Sequence, residues 1–264
     1  PNDFGLMGEP PSHPELLDWL AARFVAEGWR LKPIHRLLLL SSTYQTSAAH
    51  GASHEHAART LALFGRWRQR RLEAEAVRDS VLAVSGQLNQ EMHGPSVYPA
   101  LPRAVLEGQS RPGDGWGKSD ARQSARRSIY VFAKRSLALP ELELLDTPDN
   151  TSSCEQRMTS TTAPQALTFL NGAFLYEQAA HLADRLRREA GNETAAQIRL
   201  AFALALCRAP STEESKLAEE FLSRQQRQIE SEARPAGKPA SARRRALAAF
   251  CLVLLNTNEF VYLN

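Results

Sequence analysis

Asp3, Glu9, His13 and Glu15 place carboxylates and an imidazole in one short stretch, the residue types that bind a divalent metal or run acid–base chemistry. A second constellation, Arg71, Glu75, Arg78 and Asp79, recurs at helical i, i+3 and i+4 spacing, so ion pairs can form along one side of a helix. If that side faces Arg127 or Arg157, a buried charge network results, of the kind found at functional sites and in purely structural ones. The structural reading outweighs the functional one in both cases. Glu15 has a helix to cap, Asp3 has arginines to pair with, and carboxylates beside helix starts are explained by capping and the helix dipole. Asp3, Glu9, His13, Arg78, Asp79 and Arg127 are therefore the candidates for a pocket if the chain has one.

Other groups are weaker. His50 and His54 have the spacing that puts two imidazoles on one helical face, with Glu55 and His56 beside them, but they stand in a Gly/Ser/Ala-rich connection that reads as a solvated loop. Cys154 has Glu155 and Arg157 close by but no histidine near in sequence to act as base, so a quiet thiol is expected. Thr159, Ser160, Thr161 and Thr162 offer hydroxyls before a helix start, where anions bind but where capping needs the same groups. Arg66-Trp67-Arg68-Gln69-Arg70-Arg71 interleaves one aromatic with cations, a weak version of a single-strand nucleic-acid pattern, and no nucleic-acid partner is expected. Cys154, Cys207 and Cys251 are an odd number with no C-x-x-C spacing, so neither a thiolate zinc site nor a c-type haem attachment belongs to this stretch, and no metal is assigned to it.

These residues hang on a helical scaffold. Ser12-His13-Pro14-Glu15 fits a capping box for a helix from about His13 to Glu27, and Pro33 opens a second to complete a hairpin. Leu72, Ala76, Val77, Val81, Val84 and Leu88 predict a third, from Arg70 to Asn89. Frequent Pro, Gly and Ser make 95–123 a long loop with a turn near Leu101 to Glu107. Ser128 to Phe132 is the best strand candidate and could pair with Phe260 to Tyr262. Helices are predicted over Pro140 to Leu145, from Thr162 to Asn171 behind a second capping box, and from Gly172 to Ala190. Three more follow, over Glu193 to Cys207, from the Ser211–Glu214 cap to Glu232, and from Ser241 to Leu255. The fold class expected is all-α, a helical array of about eight helices with at most a small two-stranded β element. It is read as one domain over 1–264, with possible sub-lobes 1–94 and 159–264 joined by the loop-rich 95–158.

The chain has 264 residues, 43% of them hydrophobic, enough for a proper core, and its net charge of +3 is spread over a mixed-sign surface. No apolar run approaches the roughly 20 residues needed to cross a bilayer, so no membrane span is expected. The opening Pro1-Asn2-Asp3-Phe4-Gly5 reads like the middle of a longer text.

Several separated segments then resemble one family. They are Asn2-Asp3-Phe4-Gly5 with Gly8 to Asp18, Arg71 to Glu75 with Arg78-Asp79, Arg127 to Phe132, Ser160 to Leu167, and Leu254 to Phe260. Together, in order, they resemble the planctomycete-specific domain of unknown function numbered 1553. The resemblance implies a C-terminal domain of an exported protein that begins with a cytochrome c-type domain, hence a periplasmic, cell-surface or secreted setting. It also implies that the domain's N-terminal part lies upstream of this stretch. It supplies no cofactor for this stretch, haem c being implied only in the linked domain, and no catalytic residue. The expected function is a noncatalytic structural or interaction module whose partners are the other domains of the same polypeptide. The alternative is an enzyme acting on an extracellular carbohydrate or polymer through the acid, histidine and arginine pocket. Open space and unpaired carboxylates at those residues would favour the enzyme, and carboxylates consumed by arginines or caps would favour the module.

Overall fold

A computed structural model describes residues 5–46, 63–65, 67, 69–108, 110–135, 137–232 and 239–263. Asp3, His50, His54, His56 and Arg66 lie outside them. Among the described residues the chain is mainly α-helical. Eight helices have nine residues or more: α1 Pro14–Ala26, α2 Leu31–Leu39, α3 Ala74–Ser85, α7 Ala163–Asn171, α8 Ala173–Ala190, α9 Thr194–Leu206, α10 Thr212–Glu232 and α11 Pro239–Leu255. Four more are single turns: α4 Arg103–Glu107, α5 Ala121–Ser124, α6 Pro140–Glu143 and α12 Asn258–Val261. The one sheet among the described residues pairs β1 Arg70–Arg71 antiparallel with β2 Tyr262–Leu263.

The chain divides into two units, 1–71 with 262–264, and 72–261. In the first, α1 and α2 form the expected hairpin, α1 ending at Ala26 with Glu27 as its C-cap and Gly28 in the left-handed region. The capping box at Ser12 does not form. His13 is the N-cap, without a side-chain capping bond, and the Ser12 hydroxyl sits 2.9 Å from His13 Nδ1. Neither α1 nor α2 buries a residue, and Leu17, Trp29, Leu31 and Leu40 are all more than half exposed.

The second unit has its core where α8 meets α3 and α11. Leu175, Ala179, Leu182, Ala183 and Leu186 fall at helical spacing along one face of α8, and α11 contributes Ala246, Leu247, Phe250, Cys251, Leu254 and Leu255. Leu182, Ala183 and Leu186 are wholly buried. The Ser85 hydroxyl donates to Gln178 Oε1 at 2.7 Å, which satisfies two polar groups buried between α3 and α8.

Two expectations change here. The helix predicted from Arg70 starts at Ala74, because Arg70 and Arg71 are drawn into β1, and it stops at Gly86, whose φ of +78° only glycine adopts cheaply. The strand predicted at Ile129 to Phe132 is instead a 3-10 turn, Ser128–Tyr130, followed by a parallel bridge from Val131 to Val97, and the C-terminal residues pair with β1. The cause is local. Ser128 gives both its backbone N–H and its hydroxyl to Asp79, which turns the chain out of a ladder. The long loop after Pro95 is held by side chains, with Tyr98, Trp116 and Phe132 in mutual ring contact and Trp116 Nε1 donating to Pro99 O at 3.0 Å.

Candidate functional site

Helix α3 carries the site because its first turns turn charged residues to two different surroundings. Glu75 and Asp79, one turn apart, line a groove of about 810 Å³ together with Glu73, Arg127, Arg157 and residues between Val131 and Leu139, among them Phe132, Lys134 and Leu137. Arg78, between them in sequence, points away from it into the protein.

Asp79 is held from two sides. Its Oδ1 accepts from the Ser128 N–H and the Ser128 hydroxyl, each at 2.7 Å, and its Oδ2 lies 3.8 Å from Arg127 Nε. Glu75 is clamped by both terminal nitrogens of Arg157, at 2.7 and 3.1 Å, and the same guanidinium reaches Glu73 at 3.2 Å. Burial raises the Glu75 pKa, but the Arg157 hydrogen bonds, a backbone hydrogen bond and the Arg157 charge together hold it below the usual carboxylate value. The same hydrogen bonds raise that of Arg157. Two carboxylates of the groove wall, Glu75 and Asp79, are thus turned to fixed partners.

Arg78 is 5% exposed and donates to the carbonyls of Ser124 and Arg126 and to the Ser128 hydroxyl, at 2.7, 3.1 and 3.2 Å. Burial lowers its pKa, and the charges of Asp79 and Glu141 partly restore it. Arg126, which is not among the sequence candidates, is buried still more completely, at 1% exposure. It donates to the carbonyls of Glu91, His93 and Pro95 and lies 3.9 Å from the Tyr130 ring centroid. Two arginines in a row, Arg126 turned in and Arg127 turned to the groove, look alike in sequence. Only the tight turn at Ser128 separates their directions.

Of the six pocket candidates, the structure brings Asp79 and Arg127 together at the groove and ties Arg78 to them through Ser128. Glu9 and His13 belong to the first unit, where His13 stacks on Phe64 with ring centroids 4.9 Å apart. Asp3 lies outside the described residues. The hydroxyl run before α7 is spent on structure. The Ser160 N–H and hydroxyl bind Asp146, and Thr162 with Gln165 forms the predicted capping box. Cys154 and Cys207 are exposed free thiols, and burial of Cys251 pushes its thiol pKa far up. No group of three or more His, Cys, Asp or Glu side chains among the described residues could hold a metal ion, and no described helix is long and apolar enough to cross a membrane.

A mainly α-helical chain with a salt-bridged groove on one helix is the class these observations define. The family model described as "Protein of unknown function (DUF1553)" matches residues 1–222, so the chain belongs to that family. The match ends inside α10, and the Leu254 to Phe260 segment lies beyond it. No curated protein and no solved structure matches.

Proposed function

We propose that this chain is a noncatalytic structural or interaction module of an exported, multidomain protein, positioning a cytochrome c-type domain, which carries the haem, and other neighbouring domains in the periplasm or at the cell surface. The observation that carries the reading is the state of the groove carboxylates. Glu75 is held bidentate by Arg157, and Asp79 is held by Ser128 and faces Arg127. A general acid or base needs a proton-exchanging oxygen poised near the working pH, whereas these oxygens are fixed by strong donors and Glu75 is pushed away from neutrality. Fixed alternating charges beside exposed apolar residues such as Ile129, 74% exposed, form instead a patterned surface that selects a complementary protein face. The setting and the cytochrome partner rest on family resemblance.

A second reading, an enzyme acting on an extracellular polymer, draws on the groove volume of about 810 Å³, which falls in the range of ligand sites. Incubation of the chain with acidic and neutral oligosaccharides separates the two. The module reading expects no new reducing ends from the wild type, and turnover that is lost in a folded Asp79→Asn variant would overturn it.

A further inference from the structure

A smaller, partly open cavity of about 130 Å³ lies in the second unit on another face of α3, separate from the groove. Its walls are mostly apolar, built by Val77, Val81, Leu144, Leu145, Phe169 and Phe174. Two charged side chains interrupt them. Arg78 has spent donors on the carbonyls of Ser124 and Arg126 and lies with its Cζ 5.7 Å from the Phe174 ring centroid. Glu141, in α6, is different. Its Oε2 is shut off from solvent and accepts no hydrogen bond. A buried acceptor without a partner is costly, and native structures leave few of them unexplained. Gln165, also in the wall, cannot answer it, because its amide nitrogen serves Asp146 and Ser160 and its oxygen accepts from the Thr162 N–H.

We propose that this cavity binds a small neutral alcohol or phenol, its apolar body filling the hole and its hydroxyl donating to the Glu141 carboxylate. Size sets the body: a dry apolar cavity of roughly 150 Å³ takes up benzene, so this one suits a single small ring or a short alkyl chain. Charge sets the head group. The Arg78 guanidinium in the same wall opposes an ammonium, and the apolar lining opposes any net charge, which leaves a neutral O–H as the fitting donor. Oε2 is closed to solvent, so the hydroxyl reaches the carboxylate after the soft terminal torsion of Glu141 turns. The site is independent of the groove and of the module reading above.

Phenol and toluene, equal in size and differing in the O–H, are the probes. Both are titrated into the protein while the methyl signals of Val77, Val81, Leu144, Leu145 and Leu175 are followed by NMR. Phenol is expected to shift these methyls and to bind about tenfold more tightly than toluene, the effect of one hydrogen bond to a charged acceptor. The preference is expected to vanish in Glu141→Gln. A rim variant, Ala173→Phe, is expected to abolish binding of both probes with the thermal midpoint unchanged, which covers the case in which Glu141→Gln does not fold. Equal affinities for the two probes, or shifts confined to other methyls, would overturn the proposal.

Discussion

Asp79 shows how one carboxylate can be a structural part in a position that looks functional. It is about a turn from Glu75, lines a groove and faces an arginine, yet Oδ1 is taken by the Ser128 N–H and hydroxyl. Ser128 is 4% exposed, so its N–H has no water to turn to if the carboxylate is removed. Asp79→Ala should therefore destabilise the protein by about 1–3 kcal/mol, the cost of an unsatisfied buried donor, and Asp79→Asn, which keeps one acceptor, by less. Urea unfolding midpoints at matched slope measure both, and equal losses for the two variants would mean that charge rather than the hydrogen bond matters. Sequence spacing made Asp79, Arg78 and Arg127 candidates, but not their roles. The partners Ser128 and Arg157 come from segments 49 and 82 residues away, a distance helical periodicity does not report.

At the level of elements, the long helices were legible because each has a start or stop that physics makes explicit. The Thr162–Gln165 and Ser211–Glu214 boxes mark boundaries correctly, whereas the left-handed Gly86 ends α3 short of the expected Asn89; in the second box Glu214 accepts from the Ser211 N–H at 2.7 Å while the Ser211 hydroxyl accepts from the Glu214 N–H. Ser128 to Phe132 misled because its β-branched and aromatic residues serve a turn and a single bridge instead, Ile129 exposed in the turn and Phe132 packed on Tyr98 and Trp116 after it. Two tests belong here. Glu214 is joined to Arg208, which also holds Glu259, and the Arg208 hydrogen bonds, with those of Ser211, lower its pKa from 4.5 to about 2. A lowered folded-state pKa means that the contribution is complete above about pH 4.5 and fades as pH falls toward about 2. The thermal midpoint of the wild type should exceed that of Glu214→Gln at pH 7, and the two should converge near pH 2; a gap independent of pH would contradict this origin. The second test is Gly172, at the junction of α7 and α8, where a Cβ would stand 2.5 Å from the Thr168 carbonyl oxygen. Gly172→Ala should lower the unfolding midpoint by forcing the two helices apart, and an unchanged midpoint would show that the junction is loose.

The molecule as a whole was legible as an all-α family member but not as a division of labour. A buried three-helix core around Leu182 and Leu186 and a salt-bridged groove coexist in the second unit, while α1 and α2 of the first bury none of their residues. Periodicity reports which face of a helix is apolar; it does not report whether anything covers that face. Leu182→Ala should cost about 2–5 kcal/mol, as truncation in a fully packed core does, and calorimetry of the variant checks that the α8 face is the centre of stability. The central claim, that the groove beside α3 docks a neighbouring domain, is tested most directly by amide hydrogen exchange across Arg127 to Leu139, read in this chain alone and in the presence of the cytochrome c-type domain proposed as its neighbour. Docking is expected to slow exchange at Ile129 and along Val131 to Leu139 when that domain is present. Identical exchange in the two would contradict the account.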